Sequence, residues 1–382
     1  MKTPPVQKPK NFKDADKALA HIKAVYAEQT AFLQKEFKAF VKAKKPAGRV
    51  RAFYPYIKVA TDDAHRRDTR LSYGFVPRPG VYSTTLTRPD IFDNYYRTQI
   101  DLLIRHHGQS VEVGVSDMPI PVHFALGENF HLEGDLDQDK LSFLPNMFDV
   151  PDLDLMDDEI ANGTHMPGPG EPHPLALFTA PRVDLSLQRL RHYCGTDAHH
   201  FQNYVIFTNY QFYIDKFLTF GREMMSLASG KEQKKTRSEF ECFVEPGNKI
   251  IPNTNLAARQ EADPWKVGEV KRMPQMPAYH LKRKDGSGIT MVNIGVGPSN
   301  AKTITDHIAV LRPHAWLMLG HCAGLRNSQS LGDYVLAHGY LREDHILDDD
   351  LHPSIPIPAL AEMQQALELA VSQVTGLKGY DL

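Results

Sequence analysis

The segment Asn293-Ile294-Gly295-Val296-Gly297-Pro298-Ser299-Asn300 has the residue types of a ligand-holding turn. An apolar run precedes it and a helical pattern follows. Gly295 and Gly297 allow close backbone approach, and the helix beginning at Ser299 presents unpaired N–H groups that suit an anion or a polar ribose edge. Asn300 stands where a dinucleotide fingerprint needs its third glycine, and no Gly-Lys-Ser/Thr follows, so neither a Rossmann fingerprint nor a Walker A loop is present. A tight strand–helix turn with no ligand is the competing reading. The second segment is Gly320-His321-Cys322-Ala323-Gly324-Leu325-Arg326, directly after "AWLML". In an open α/β sheet, ligands gather beyond the carboxyl ends of the strands, so His321 and Arg326 are expected at a crevice there. The planar fork of Arg326 matches phosphate oxygens. Asn209 and Tyr210 follow another apolar run and reach the same edge, although Asn is also a common turn residue.

Two arginine groups stand apart from this set. Arg189 and Arg191 lie with His192 and Tyr193 just upstream of that strand. Arg66, Arg67 and Arg70 crowd into "HRRDTRLSYG", as a solvated loop or as a patch for a polyphosphate effector. The histidines are scattered. The adjacent pairs His106-His107 and His199-His200 point apart on a strand and do not face each other on a helix, so no metal site is expected. No G-x-S-x-G, H-E-x-x-H or Ser/His/Asp pattern is legible.

The elements that must position these residues form two units. Leu19, Ile22, Tyr26, Leu33, Phe37 and Val41 recur at helical spacing, which predicts an amphipathic helix over 14–44. Strands are expected at 53–61 and 80–86. A helix capped by Thr87, with Pro89 and Asp90 in its first turn, is expected to run to Gly108. Strands at 111–115 and 121–126 complete a mixed sheet covered by helices. The Pro- and Gly-rich stretch before residue 181 reads as a linker. The division is 10–165 for the first domain, 166–181 for the linker and 182–382 for the second domain. The second opens with a strand, a polar turn and a helix over 201–217, followed by a surface insertion at 228–238. Strands are expected at 276–283, 288–297, 314–320 and 332–341. The helix from Ser299 to Leu311 between the second and third of these implies a parallel arrangement.

Composition narrows the function. The chain has 382 residues, room for two or three domains, and 44 Lys plus Arg against 46 Asp plus Glu. That near-neutral balance disfavours non-specific nucleic-acid binding. Positive charge concentrates in residues 1–50 and negative charge in 133–159, on solvated faces or as mutually attracting patches. The three cysteines, Cys194, Cys242 and Cys322, form neither a disulfide framework nor a C-x-x-C pair, as expected for a reducing, cytoplasmic setting. Neither a signal peptide nor a membrane span is expected.

The runs "YVIFTNYQFYIDKF", "GITMVNIGVGPSNAKTITDHIAVLRPHAWLMLGHCAGLRNSQSLGDYVLAHGYLREDH" and "RLSYGFVPRPGVYSTTLTRPDIF" resemble the AMP nucleosidase family from about residue 10 onward. The resemblance implies an N-terminal α+β regulatory domain followed by a phosphorylase-like α/β domain with a central mixed sheet. It implies hydrolysis of the N-glycosidic bond of AMP to adenine and ribose 5-phosphate without a cofactor for the chemistry. It also implies a homo-hexamer activated by MgATP and inhibited by phosphate. Carried over, Gly295, Gly297 and Ser299 line the nucleoside. Met318 falls where phosphorylases place a phosphate-binding arginine, and His321 where they place a hydroxyl. Losing that cation favours water over phosphate as nucleophile. Asn209, Tyr210 and Arg326 are expected at the 5′-phosphate, and Arg66, Arg67 and Arg70 at the effector. The family's ribose-binding glutamate and purine-protonating aspartate have no counterpart before residue 382, so the domain is expected to be incomplete at its C-terminus. An alternative is a non-catalytic nucleotide-binding subunit of such an assembly.

Overall fold

The structure is a computed structural model that describes residues 1–5, 7–42, 48–62, 73–126, 136–256, 273–342 and 351–377. The chain opens with β1 (Lys10–Phe12) and the long helix α1 (Ala15–Lys42). Leu19, Ile22, Val25, Leu33 and Phe37 of α1 are buried, as their helical spacing requires. Next come β2 (Phe53–Thr61), β3 (Gly80–Thr85), α2 (Asp93–His107), β4 (Val111–Pro119), α3 (Val122–Ala125), α4 (Gln138–Met147), α5 (Glu159–Asn162) and β5 (His173–Pro174). The five strands form one sheet in the order β1-β4-β2-β3-β5. Its pairs are antiparallel except β3–β5. Strand β5 comes from the Pro- and Gly-rich stretch, and Leu175 N–H continues the pairing by donating to Ser83. Helices α1 and α2 pack on the sheet through one cluster containing Leu19, Ile22, Ile57, Val59, Ile100 and Leu103. A second cluster joins Leu33, Phe37, Tyr54 and Phe148.

Helix α6 (Ala180–Cys194) links the two regions. Its Val183 and Leu187 belong to the first core, while Leu190 and Cys194 belong to another. The second region continues with β6 (Tyr204–Thr208), α7 (Gln211–Met225), α8 (Lys231–Arg237), β7 (Cys242–Glu245), β8 (Lys249–Pro252), β9 (Ala278–Lys282), β10 (Ile289–Asn293), α9 (Pro298–Ala309), β11 (Ala315–Leu319), β12 (Gly339–Tyr340), β13 (Ile357–Pro358) and α10 (Ala361–Thr375). Six strands form a sheet in the order β11-β6-β10-β9-β7-β8. Strands β10 and β11 both run parallel to β6, which lies between them, and the other pairs are antiparallel. Leu190, Ile304 and Ile308 of α6 and α9 pack beneath Val205, Phe207 and Val292. On the opposite face, Ile214 and Phe217 of α7 pack against Phe243, Leu281 and Met291.

Four local expectations change. Helix α2 starts at Asp93 rather than near Thr87, because the Thr87 hydroxyl donates to Asp184 at 2.8 Å and Arg88 adopts a φ of 42°. The expected strand at 121–126 is the short helix α3. Pro121 precedes its first turn, and the Val122 N–H donates to the Asp149 carbonyl. The expected insertion at 228–238 contains α8, held by buried Arg237, which donates to the Ser226 and Leu227 carbonyls and pairs with Glu223 at 3.0 Å. Of the expected strand 332–341, only Gly339–Tyr340 pairs, with Ile357–Pro358. Its surroundings are exposed and offer no sheet to join. Among the described residues, no helix is long and apolar enough to cross a membrane, and no group of three or more His, Cys, Asp or Glu is arranged to hold a metal ion. Among the described residues no disulfide forms: Cys194 and Cys242 are buried, and Cys322 is exposed.

Candidate functional site

Three parallel strands, β10, β6 and β11, end side by side, with Asn293 beside Thr208 and Thr208 beside Leu319. Each strand end carries residues singled out in the sequence. After β6, Thr208 is fully buried and its Oγ1 accepts the Tyr210 N–H at 3.2 Å, which shapes the turn into α7. Asn209 Oδ1 is buried and has no hydrogen-bond partner among the described residues. A buried carboxamide oxygen without a donor is costly unless a ligand or water supplies one.

After β10, Asn293 Oδ1 accepts the Gly295 N–H at 3.0 Å, and its Nδ2 donates to Gln211 Oε1 at 3.4 Å. Gly295 and Gly297 have φ of 66° and 107°, where a Cβ is strained. An added Cβ at Gly297 would meet nothing within 4 Å, so backbone conformation rather than crowding requires glycine there. No side chain caps α9. Its N-cap is Gly297 and its second residue is the exposed Ser299. Asn300 Nδ2 instead folds back to the Val296 carbonyl at 3.2 Å. The first N–H groups of a helix have no intrahelical partner, so this turn offers donors and a positive dipole end to the crevice.

After β11, the His321 ring lies 4.0 Å from Tyr210 and 5.4 Å from Tyr213, centroid to centroid. These aromatics provide a polar-edged stacking surface at the mouth of the crevice. Gly320 lies close enough to Tyr210 that an added Cβ would sit 3.8 Å from its ring.

The structure therefore gathers Asn209, Tyr210, Gly295, Gly297, Ser299 and His321 along one sheet edge. Arg326 lies on the exposed segment beyond β11, where its backbone N–H donates to Gln329 Oε1 at 2.9 Å and its guanidinium has no ion-pair partner among the described residues. Arg66, Arg67 and Arg70 lie outside the described residues. Met318 is exposed and puts no charge beside the crevice. Two contributors had weaker sequence signals. Tyr213 joins the stack because it follows Tyr210 by three residues at the start of a helix. Asn293 was visible as the first residue of the glycine turn, without a role of its own.

The strongly perturbed groups lie elsewhere. Burial raises the Asp184 carboxyl to about 7, where it accepts from Tyr54 at 2.6 Å and from Thr87. Burial pushes His280 well below its ordinary value, with Thr196 and Thr290 hydroxyls at 2.8 and 2.9 Å. Both groups belong to packed junctions, so they are structural rather than catalytic candidates.

A glycine turn opening a helix, an asparagine oxygen unpartnered among the described residues and an aromatic stack at parallel strand ends define a class: an α/β protein with candidate ligand-holding groups at the strand ends of a mixed sheet. Residues 17–172 match the family model described as "Bacterial AMP nucleoside phosphorylase N-terminus". The AMP nucleosidase of Escherichia coli (strain K12) is 43% identical over 331 residues, which cover 86% of this chain and 65% of that protein. The AMP nucleosidase of Escherichia coli O157:H7 aligns with the same figures. Over these aligned residues, the chain is similar to AMP nucleosidases. It spans 65% of the length of the curated relatives it matches. Among solved structures, AMP nucleosidase from Bacteroides thetaiotaomicron VPI-5482 matches 51% of this chain and 63% of its own at 21% identity and a TM-score of 0.34, too loose an overlap to transfer any feature.

Proposed function

We propose that the crevice binds AMP and belongs to an enzyme that hydrolyses its N-glycosidic bond, releasing adenine and ribose 5-phosphate. The observation that supports this most is the 43% identity to AMP nucleosidase, which runs through both regions and not the first domain alone. The geometry fits the substrate. The α9 turn offers N–H donors to an anionic or hydroxyl-bearing edge, and Asn209 Oδ1 accepts from a ribose hydroxyl or an amine. The Tyr210–His321 pair gives a planar ring a face to lie on. Met318 leaves no cation beneath the sugar to hold inorganic phosphate, so water attacks the anomeric carbon as the ribosyl group gains positive charge. A carboxylic acid that protonates the departing purine is not among the residues gathered here. Charge-assisted hydrogen bonds to the nucleotide phosphate, about 1.5–3 kcal/mol each, would serve to orient the scissile bond.

The wider reading is a cytoplasmic homo-oligomer, a hexamer, activated by MgATP through the first domain at Arg66, Arg67 and Arg70, and inhibited by phosphate. The test is adenine release from AMP by the 382-residue chain with MgATP present and phosphate absent. Hydrolysis slowed by added phosphate supports the nucleosidase. Turnover that requires phosphate identifies a phosphorylase. Saturable AMP binding without turnover identifies a nucleotide-binding subunit.

A further inference from the structure

We propose that a second site, distinct from the nucleotide crevice, binds a small amphipathic anion, a short-chain carboxylate of about four carbons. It lies between the first sheet, α2 and the start of α6, in a cavity of about 90 Å³. A closed apolar cavity of about 150 Å³ holds the six carbons of benzene, so this one accepts roughly three or four non-hydrogen atoms, the alkyl carbons of such an acid with its carboxylate at the half-exposed Arg312, and too few for a nucleotide. Its wall is apolar: Ile57, Phe92, Ile100 and Leu103 are all buried and line it.

Two polar groups at the cavity are uncommitted. Arg312 reaches it from the second region, from the turn between α9 and β11. Its guanidinium carbon lies 4.2 Å from the Tyr95 ring centroid, and no carboxylate pairs with it among the described residues. The Gln99 amide also lines the cavity and has no hydrogen-bond partner among them. The neighbouring threonines are already engaged. Thr85 Oγ1 accepts the Ala180 N–H at 2.9 Å, and Thr87 Oγ1 donates to Asp184.

Arg312 also adopts a φ of 53°, a left-handed conformation that costs a non-glycine residue and persists only where its surroundings hold it. A half-buried guanidinium without a counter-charge is poorly compensated. A carboxylate supplies that charge in the planar geometry the fork accepts, Gln99 adds an amide donor, and the alkyl chain fills the apolar wall. Pockets between two packed units are a common place for small ligands. Because Arg312 lies just ahead of β11, an occupant ties the first region to the strand that leads to His321.

Isothermal titration of the 382-residue chain with butanoate, and with the isosteric neutral butanamide, tests this. A butanoate Kd on the order of 1 mM is expected, reasonable for six non-hydrogen atoms. Butanamide and the Arg312→Gln variant should bind about 10- to 100-fold more weakly, the span that one charge-assisted hydrogen-bonded pair covers. Saturating AMP should leave the butanoate isotherm unchanged, and the thermal midpoint should rise with butanoate. Equal binding of the amide would remove the anion from the proposal. Displacement by AMP would place the carboxylate in the nucleotide crevice and overturn the second site. No saturable butanoate binding to the wild-type chain would also overturn it, whatever AMP does.

Discussion

In the first sheet, β2 keeps Tyr54, Ile57 and Val59 at 3% exposure or less, whereas in the second, β11 leaves Trp316 40% and Met318 55% exposed. Strand β2 has neighbours on both sides and two helices on its face. Strand β11 is the terminal strand of its sheet, and beyond it the chain runs over the surface with Leu325, Leu331, Tyr334 and Val335 exposed. The first region packs its sheet and long helix into two apolar clusters. The second leaves a strand edge and several ring faces available. That difference fits the place of the candidate nucleotide site at the second sheet, because the packed first sheet leaves only a small cavity. A row of unpaired strand groups is also a template for another chain.

The comparison breaks first on core truncation. Leu33→Ala should cost about 2–5 kcal/mol, the usual range for a buried leucine, while Trp316→Ala should stay within about 1 kcal/mol. Urea midpoints of the two variants decide it. Comparable losses would mean that another surface covers β11 in solution.

The next test uses acid. Asp184 has its carboxyl raised from 3.8 to about 7 by burial, so the folded state holds a proton that the unfolded chain releases. Its stabilising contribution is fully present below pH 3.8 and is lost as pH rises through about 7. Stability should therefore fall across that window by up to about 1.4 kcal/mol per pH unit from this group. Asp184→Asn should remove that slope in denaturant titrations at several pH values. An unchanged slope would assign it to other groups.

Two glycines sharpen the contrast further. Gly74 and Gly297 both have positive φ, 76° and 107°. A Cβ at Gly74 would lie 2.5 Å from Leu102 Cβ, and one at Gly297 would meet nothing. Both alanine variants carry backbone strain of about 1–3 kcal/mol. Gly74→Ala should lose more than Gly297→Ala by calorimetry, since Leu102 must also move. The Gly297→Ala change should appear chiefly as weaker AMP binding. The smallest stability effect is expected at Met318→Arg, within roughly 0.5 kcal/mol because the side chain is exposed. Its readout is tighter binding of inorganic phosphate. Unaltered phosphate affinity would separate position 318 from the crevice.

Local patterning was legible where one period dominates. The helix Ala15–Lys42 and the strands Phe53–Thr61, Ala278–Lys282 and Ile289–Asn293 lie within the ranges 14–44, 53–61, 276–283 and 288–297 expected from apolar spacing, because burying one stripe or one face repeats along the chain. Thr87 shows the limit. Its type marks a helix cap, yet a carboxylate 97 residues away takes its hydroxyl. The polar run 228–238 shows another, since only buried Arg237 and its carbonyl partners reveal a helix held in place.

The sequence by itself determined the α/β class, the family resemblance and the residue types available at three strand ends. It did so because periodicity, glycine placement and strand–helix alternation are local properties. Only the tertiary structure decided that β6 lies between β10 and β11, that Asn209 Oδ1 lacks a partner among the described residues, and that His321 stacks on Tyr210. It alone brought Arg312 to a cavity of the other region. Those facts depend on strand order and on contacts between distant residues, which no local pattern encodes.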